Sequence, residues 1–195
     1  MRRRRRVLLA GLAVFCAAQA VYWTEPRFAF DIAERLVPDV VWRVKTDQPL
    51  VGLSFDDGPD PAHMPRVLAI LAQHRARATF FLIGERARAH PDLVARIKAE
   101  GHDVGNHYAM NGATLGHSDS DFVRYLEHTE QAIGVQPPPK LFRAPGGIAW
   151  PHQLRLARSK GYTCVALTAP RRLTRIAAAV ATYRRDARAV PNLGF

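Results

Sequence analysis

The stretch Leu53-Ser54-Phe55-Asp56-Asp57-Gly58-Pro59 decides how this chain is read. Residues 51–55 form an apolar run that reads as a buried strand. The run ends in two adjacent carboxylates and then Gly-Pro, a turn signal. In an α/β protein the carboxyl end of a strand is where ligands sit. Side chains of neighbouring strand residues diverge, so the two carboxylates can take two roles. One can hold a metal ion and the other can take a proton. Taken alone, Asp-Asp-Gly-Pro is equally a solvated turn, since Asp, Gly and Pro are ordinary turn residues.

Downstream, strands and helices alternate. Residues 64–74 carry apolar side chains at 64, 67, 68 and 71, the spacing of one helical face. Residues 78–83 read as a second buried strand. A helix follows from His90-Pro91-Asp92 to Glu100, stopped by Gly101. Residues 103–106 are a short third strand. Ser118 and Asp121 are spaced as a capping box that opens a helix running to Gly134. Residues 141–143 make a fourth strand, Pro151 suits the first turn of a helix ending at Gly161, and 162–167 make a fifth strand. Such alternation implies an α/β fold with a parallel sheet flanked by helices. Five units are too few to close an eight-stranded barrel, so an open or incomplete barrel is expected.

The chain has 195 residues, 48% hydrophobic, enough for one domain with a proper core. Its net charge of +11 sits at the two ends. Residues 2–6 are all arginine, and residues 171–195 hold six arginines against one acid, Asp186. What lies between is close to neutral, so no basic face tracks a phosphate backbone and nucleic acid is excluded as a partner. The two cysteines, Cys16 and Cys164, form neither a disulfide pattern nor a cysteine metal site.

Residues 1–23 read as an address: the arginine cluster precedes an apolar run from Val7 to Trp23 broken only by Gln19. Ala18-Gln19-Ala20 suits a cleavage site, and an uncleaved N-terminal membrane helix is the equal alternative. Either implies a secreted or membrane-anchored extracytoplasmic domain. Residues 24–49 read as a connector, 50–168 as the catalytic domain and 169–195 as an atypical Arg/Ala-rich tail.

Three chemistry-bearing segments fall at successive strand ends: Asp56-Asp57, then Asn106-His107 with Asn111 behind it, then Arg143-Ala144-Pro145-Gly146-Gly147. In a parallel sheet these ends converge on one mouth. Asp and His together suit Zn²⁺ or a similar divalent ion. Singly, His107 is more often a hydrogen-bonded histidine and Arg143 a salt-bridge partner; their joint placement carries the functional reading. Tyr108, Trp150 and Tyr162 are candidates for stacking on sugar rings, or for packing.

These segments, with Ala78-Thr79-Phe80-Phe81-Leu82-Ile83-Gly84 and Gly101-His102-Asp103-Val104-Gly105-Asn106-His107, resemble the NodB-type polysaccharide deacetylases, carbohydrate esterase family four. The resemblance covers residues 50 to 168. It implies a distorted, incomplete (β/α) barrel and metal-dependent removal of N-acetyl or O-acetyl groups from an acetylated glycan. By position, Asp56 resembles the catalytic base, Asp57 and His107 metal ligands, and Arg143 the residue that positions the base; Pro145, Gly146 and Trp150 are the candidate substrate-binding residues. The implied cofactor is a divalent metal, Zn²⁺ or another divalent ion. Such an ion lowers the pKa of bound water and polarises the acetyl carbonyl.

Two departures stand out. The family's second metal-binding histidine corresponds to Asn111, whose carbonyl oxygen is a weaker ligand; His117 is the rival for a third ligand. The family also ends a later strand in His-Asp, where the His resembles the acid that protonates the leaving amine. Here the last histidine is His152. The expectation is a truncated or frame-shifted product with an exposed apolar sheet edge and little activity; a short natural variant is the alternative. A catalytically inactive glycan-binding or envelope-scaffold protein is the second reading. A membrane-anchored phosphatase using Asp-Asp is a weaker third.

Overall fold

A computed structural model describes residues 10–16, 27–43, 52–112, 114–134, 136 and 138–166. Its strands are β1 (Val40–Val41), β2 (Ser54–Gly58), β3 (Thr79–Leu82), β4 (Asp103–Asn106), β5 (Lys140–Phe142) and β6 (Tyr162–Val165). Its helices from residue 27 onward are α1 (Arg27–Leu36), α2 (Met64–Gln73), α3 (Gly84–Ala89), α4 (Pro91–Ala99), α5 (Asp119–Ile133) and α6 (Pro151–Ser159). The six strands form one sheet in the order β1-β6-β5-β4-β3-β2. Every pairing is parallel. From β2 to β6 each strand lies beside its successor, the order of a barrel. Within the described sheet the circle stays open, with β1 and β2 as its two edges.

The sequence explains the core directly. Phe80, Phe81, Leu82 and Ile83 are at most 2% exposed. Each such side chain contributes about 1.5–3 kcal/mol by leaving water. Against β3 lie Met64, Leu68 and Leu71 of α2 and Leu93, Val94 and Ile97 of α4. A second cluster joins Phe122 and Leu126 of α5, Phe142 of β5, Leu154 and Ala157 of α6, and Tyr162 and Cys164 of β6. Helix α5 opens on Ser118, whose Oγ accepts the Asp121 amide at 3.2 Å, and it packs where Gly84 leaves room. A Cβ at Gly84 would stand 2.5 Å from Thr129 Oγ1.

Two expectations change. Residues 24–49 are more than a connector, because α1 and β1 arise from them. Val40 and Val41 pair with Cys164 and Val165, and the Ala166 amide donates to the Val41 carbonyl at 2.9 Å. The outer edge of β6 is therefore covered, not left bare. Helix α3 leaves no periodic signal in the sequence, because Gly-Glu-Arg-Ala-Arg-Ala presents no apolar stripe. The proposed address at 1–23 lies mostly outside the described residues. Residues 10–16 are helical and exposed, and among the described residues no helix is long and apolar enough to cross a membrane. The tail from 169 also lies outside them.

Candidate active site

The mouth of the sheet is built at the carboxyl ends of β2, β4 and β5. Strand β2 slips register between Phe55 and Gly58, and Asp57 adopts a φ of 65°. Aspartate tolerates this left-handed conformation better than most residues. The slip sends the two carboxylates to different partners. Asp56 turns toward Arg143, whose Nη1 donates to Asp56 Oδ1 at 2.7 Å. Asp57 turns toward His107, with Oδ1 3.6 Å from Nε2.

Arg143 is anchored on every side. Besides Asp56, its Nη1 donates to Ser54 Oγ at 2.9 Å. Nε and Nη2 face the Val165 and Ala166 carbonyls, each at 3.4 Å. The guanidinium lies 3.9 Å above the centre of the Phe81 ring. Its own carbonyl accepts from His107 Nδ1 at 2.8 Å. That bond puts a ring hydrogen on Nδ1, so in the neutral imidazole Nε2 carries the lone pair and faces Asp57. The His107 side chain is 4% exposed and that of Asp57 61%.

This pair fits a divalent ion. With Nδ1 protonated, Nε2 and the carboxylate are both acceptors, and 3.6 Å is too long for a hydrogen bond between them. Two ligands of one tetrahedral Zn²⁺ stand about 3.4 Å apart, from metal–ligand bonds of about 2.1 Å. Among the described residues no three His, Cys, Asp or Glu side chains cluster as a metal site, so a further ligand from these residues would be of another type.

Asn111 is brought to this pair. With its amide oriented to satisfy both neighbours, Nδ2 donates to Asp57 Oδ1 at 3.2 Å and Oδ1 accepts from Arg86 Nη2 at 3.0 Å. Arg86, on α3, also donates through Nη1 to the Asp57 backbone carbonyl. Asn111 therefore holds the Asp57 carboxylate, and its oxygen is already engaged. Arg86 went unread in the sequence; it is one of two arginines in a short helix, and nothing local distinguishes it from Arg88.

His117 is not brought to the pair. Its Nδ1 meets the Tyr108 hydroxyl at 2.7 Å, and its ring stacks on Tyr108. Tyr108 and Tyr162 are buried and belong to the second core cluster, so packing accounts for them. Burial pushes both phenols well above their ordinary pKa. The Tyr162 hydroxyl accepts from Asn106 Nδ2 at 3.0 Å, and Asn106 Oδ1 accepts the Tyr108 amide at 2.8 Å. Asn106 thus fixes the bend that delivers His107.

Pro145 is buried and opens a single tight turn, Pro145–Gly147, one residue after Arg143, with Ala144 between them. Gly146, exposed, takes a φ of 65° there. Trp150 is 48% exposed, and its indole N–H donates to the Leu115 carbonyl at 3.0 Å. The Trp150 ring is thus held on the 114–116 turn, beside the exposed side chain of Leu115.

The profile of the family described as "Polysaccharide deacetylase" matches residues 43–165. A peptidoglycan-N-acetylglucosamine deacetylase of Bacillus cereus is 37% identical over 133 residues, 65% of this chain and 60% of that protein. A chitooligosaccharide deacetylase of Sinorhizobium fredii is 40% identical over 109 residues, 54% of this chain and 51% of its own. A solved peptidoglycan N-acetylglucosamine deacetylase, in complex with 4-naphthalen-1-yl-N-oxidanyl-benzamide, superposes with a TM-score of 0.62 at 32% identity, covering 65% of this chain and 60% of that one. The chain thus spans little more than half the length of the curated relatives it matches. With the profile covering well over half of its residues, the chain belongs to the polysaccharide deacetylase family.

Proposed function

We propose that this chain is built for hydrolytic removal of acetyl groups from an N-acetylated glycan, with O-acetylated glycans as the related substrate class. The observation that carries the reading is the division of labour at Asp56-Asp57. One carboxylate is clamped by a buried arginine, and the other faces a histidine with a bare ring nitrogen. The named relatives act on peptidoglycan and chitooligosaccharide, which supports an amino-sugar polymer as substrate.

Asp57 and His107 would hold the divalent ion, with Asn111 behind Asp57. When bound, the ion supplies Lewis-acid polarisation and a more acidic water. Asp56 is placed as general base. Arg143 occupies its Oδ1, and the second oxygen, on a side chain 25% exposed, is left to take a proton. Ser54, Phe81 and the β6 carbonyls keep the guanidinium, and through it the base, in one position. The exposed Trp150 ring and the Gly146 turn would border the sugar. Once protonated, Asp56 is placed to return its proton to the leaving amine, while His152 is engaged with Asp119 Oδ1 at 3.1 Å.

The test is acetate release from N-acetylated chitooligosaccharide and from peptidoglycan with Zn²⁺ added. Release that stops on chelation and in Asp56→Asn supports the proposal. Because Arg86 engages the Asn111 oxygen, only Asp57 and His107 among the described residues are placed to hold an ion, which favours an inactive glycan-binding protein as the second reading. Saturable sugar binding without acetate release would establish that reading instead.

A further inference from the structure

We propose that the cleft at the opposite end of the sheet, between the ends of α2 and α4, is a binding site for a small oxyanion of the phosphate class. The cleft measures about 500 Å³ and is walled by Arg75, Arg77, Arg96, Glu100 and His102, with small alanines on the α2 side. It lies where β3 and β4 begin, whereas Asp56, Asp57 and His107 lie at strand carboxyl ends. The deacetylase site therefore takes no part in it.

His102 carries the argument. It is 7% exposed, and its Nδ1 accepts the Ala78 backbone amide at 3.4 Å. A backbone N–H cannot accept, so the ring hydrogen is on Nε2. Nε2 is buried and has no hydrogen-bond partner. Burial, the largest influence, holds the imidazole below its ordinary pKa and thus neutral, with Arg77 acting in the same direction against Glu100 and Asp103. A buried donor without an acceptor costs about 1–3 kcal/mol, a cost that an anion admitted at the cleft His102 lines would remove.

The surrounding charge indicates which acceptor fits. Glu100 is the one acid in the wall, and it is paired with Arg96 Nε at 2.7 Å. Arg75 and Arg77 make no ion pair among the described residues. The Arg77 guanidinium lies over Gly101, where a Cβ would meet its Cζ at 3.6 Å. Two guanidiniums without an ion pair among the described residues and an imidazole N–H are donors only, and together they complement a doubly charged oxyanion.

The experiment is titration of inorganic phosphate into the full chain, followed by calorimetry and by the imidazole ¹⁵N resonances. Saturable one-to-one binding is expected, with the largest shift at His102 Nε2. Arg77→Gln, an exposed and fold-neutral change, should weaken binding about tenfold, and Asp56→Asn should leave it unaltered. Absence of saturation, or undiminished binding in an Arg75→Gln/Arg77→Gln double variant, would overturn the proposal. Vesicles identify the source of the anion. Displacement of phosphate by phosphatidylglycerol but not phosphatidylcholine assigns a lipid headgroup, and no displacement by either assigns a soluble phosphate; both outcomes keep the site.

Discussion

Arg143 touches β2 through Ser54 and Asp56, β3 through the Phe81 ring and the end of β6 through two carbonyls. Lysine keeps the charge and loses the planar fork that makes these contacts together. Arg143→Lys should therefore lower kcat for acetate release about 10²-fold with KM nearly unchanged, as read by steady-state kinetics. Arg143→Ala leaves Asp56 without its counter-charge and should cost about 3 kcal/mol in urea unfolding. Asn111 acts one step further out. If it only steadies Asp57, Asn111→Ala weakens Zn²⁺ binding about tenfold by calorimetry, while His107→Ala removes a ligand and costs far more. Equal losses would make the Asn111 amide a ligand after all. The chemistry at this scale was legible as residue types at strand ends. Illegible were the left-handed backbone at Asp57, which aims the two carboxylates apart, and the guanidinium of Arg86, which claims the Asn111 oxygen from a distant helix.

Glycines set the spacing between elements. A Cβ at Gly105 of β4 would lie 2.6 Å from Phe81 Cδ1, and Phe81 is the ring beneath Arg143. Gly105→Ala should cost about 1–3 kcal/mol and should also loosen the Arg143–Asp56 pair, so activity falls at temperatures where the fold persists. Helix α5 depends on its cap. Ser118→Ala should cost about 1 kcal/mol in the same unfolding assay. The Asp121 carboxyl is held below its ordinary pKa first by the Ser118 hydroxyl and then by Arg124. Its contribution is present above the ordinary carboxylate range and fades as pH falls through the lowered value. In Ser118→Ala that acid sensitivity should shrink. Elements with a period of their own, such as α2, α4, α5 and β3, could be read from the sequence. A two-residue strand has no period to detect, and α3 has no apolar face, so β1 and α3 are defined by their partners alone.

For the molecule as a whole, the barrel-like strand order follows from alternation, while the partner of β6 does not, because nothing in Val40-Val41 announces a match with Cys164-Val165. Cys164 reports on that seam. It is buried, its thiol is pushed up to about 11 by desolvation, and Cys16 is exposed. Alkylation of the folded chain should label Cys16 and spare Cys164. Deleting residues up to 41 should expose Cys164 to the reagent and, by baring a sheet edge, raise light scattering. The same seam bears on the order of events during synthesis. The first described strand must wait for the last described one, and such a distant pairing closes slowly. Until residues 162–165 emerge, β1 has no strand to pair with, although β2 to β5 can already pair with one another.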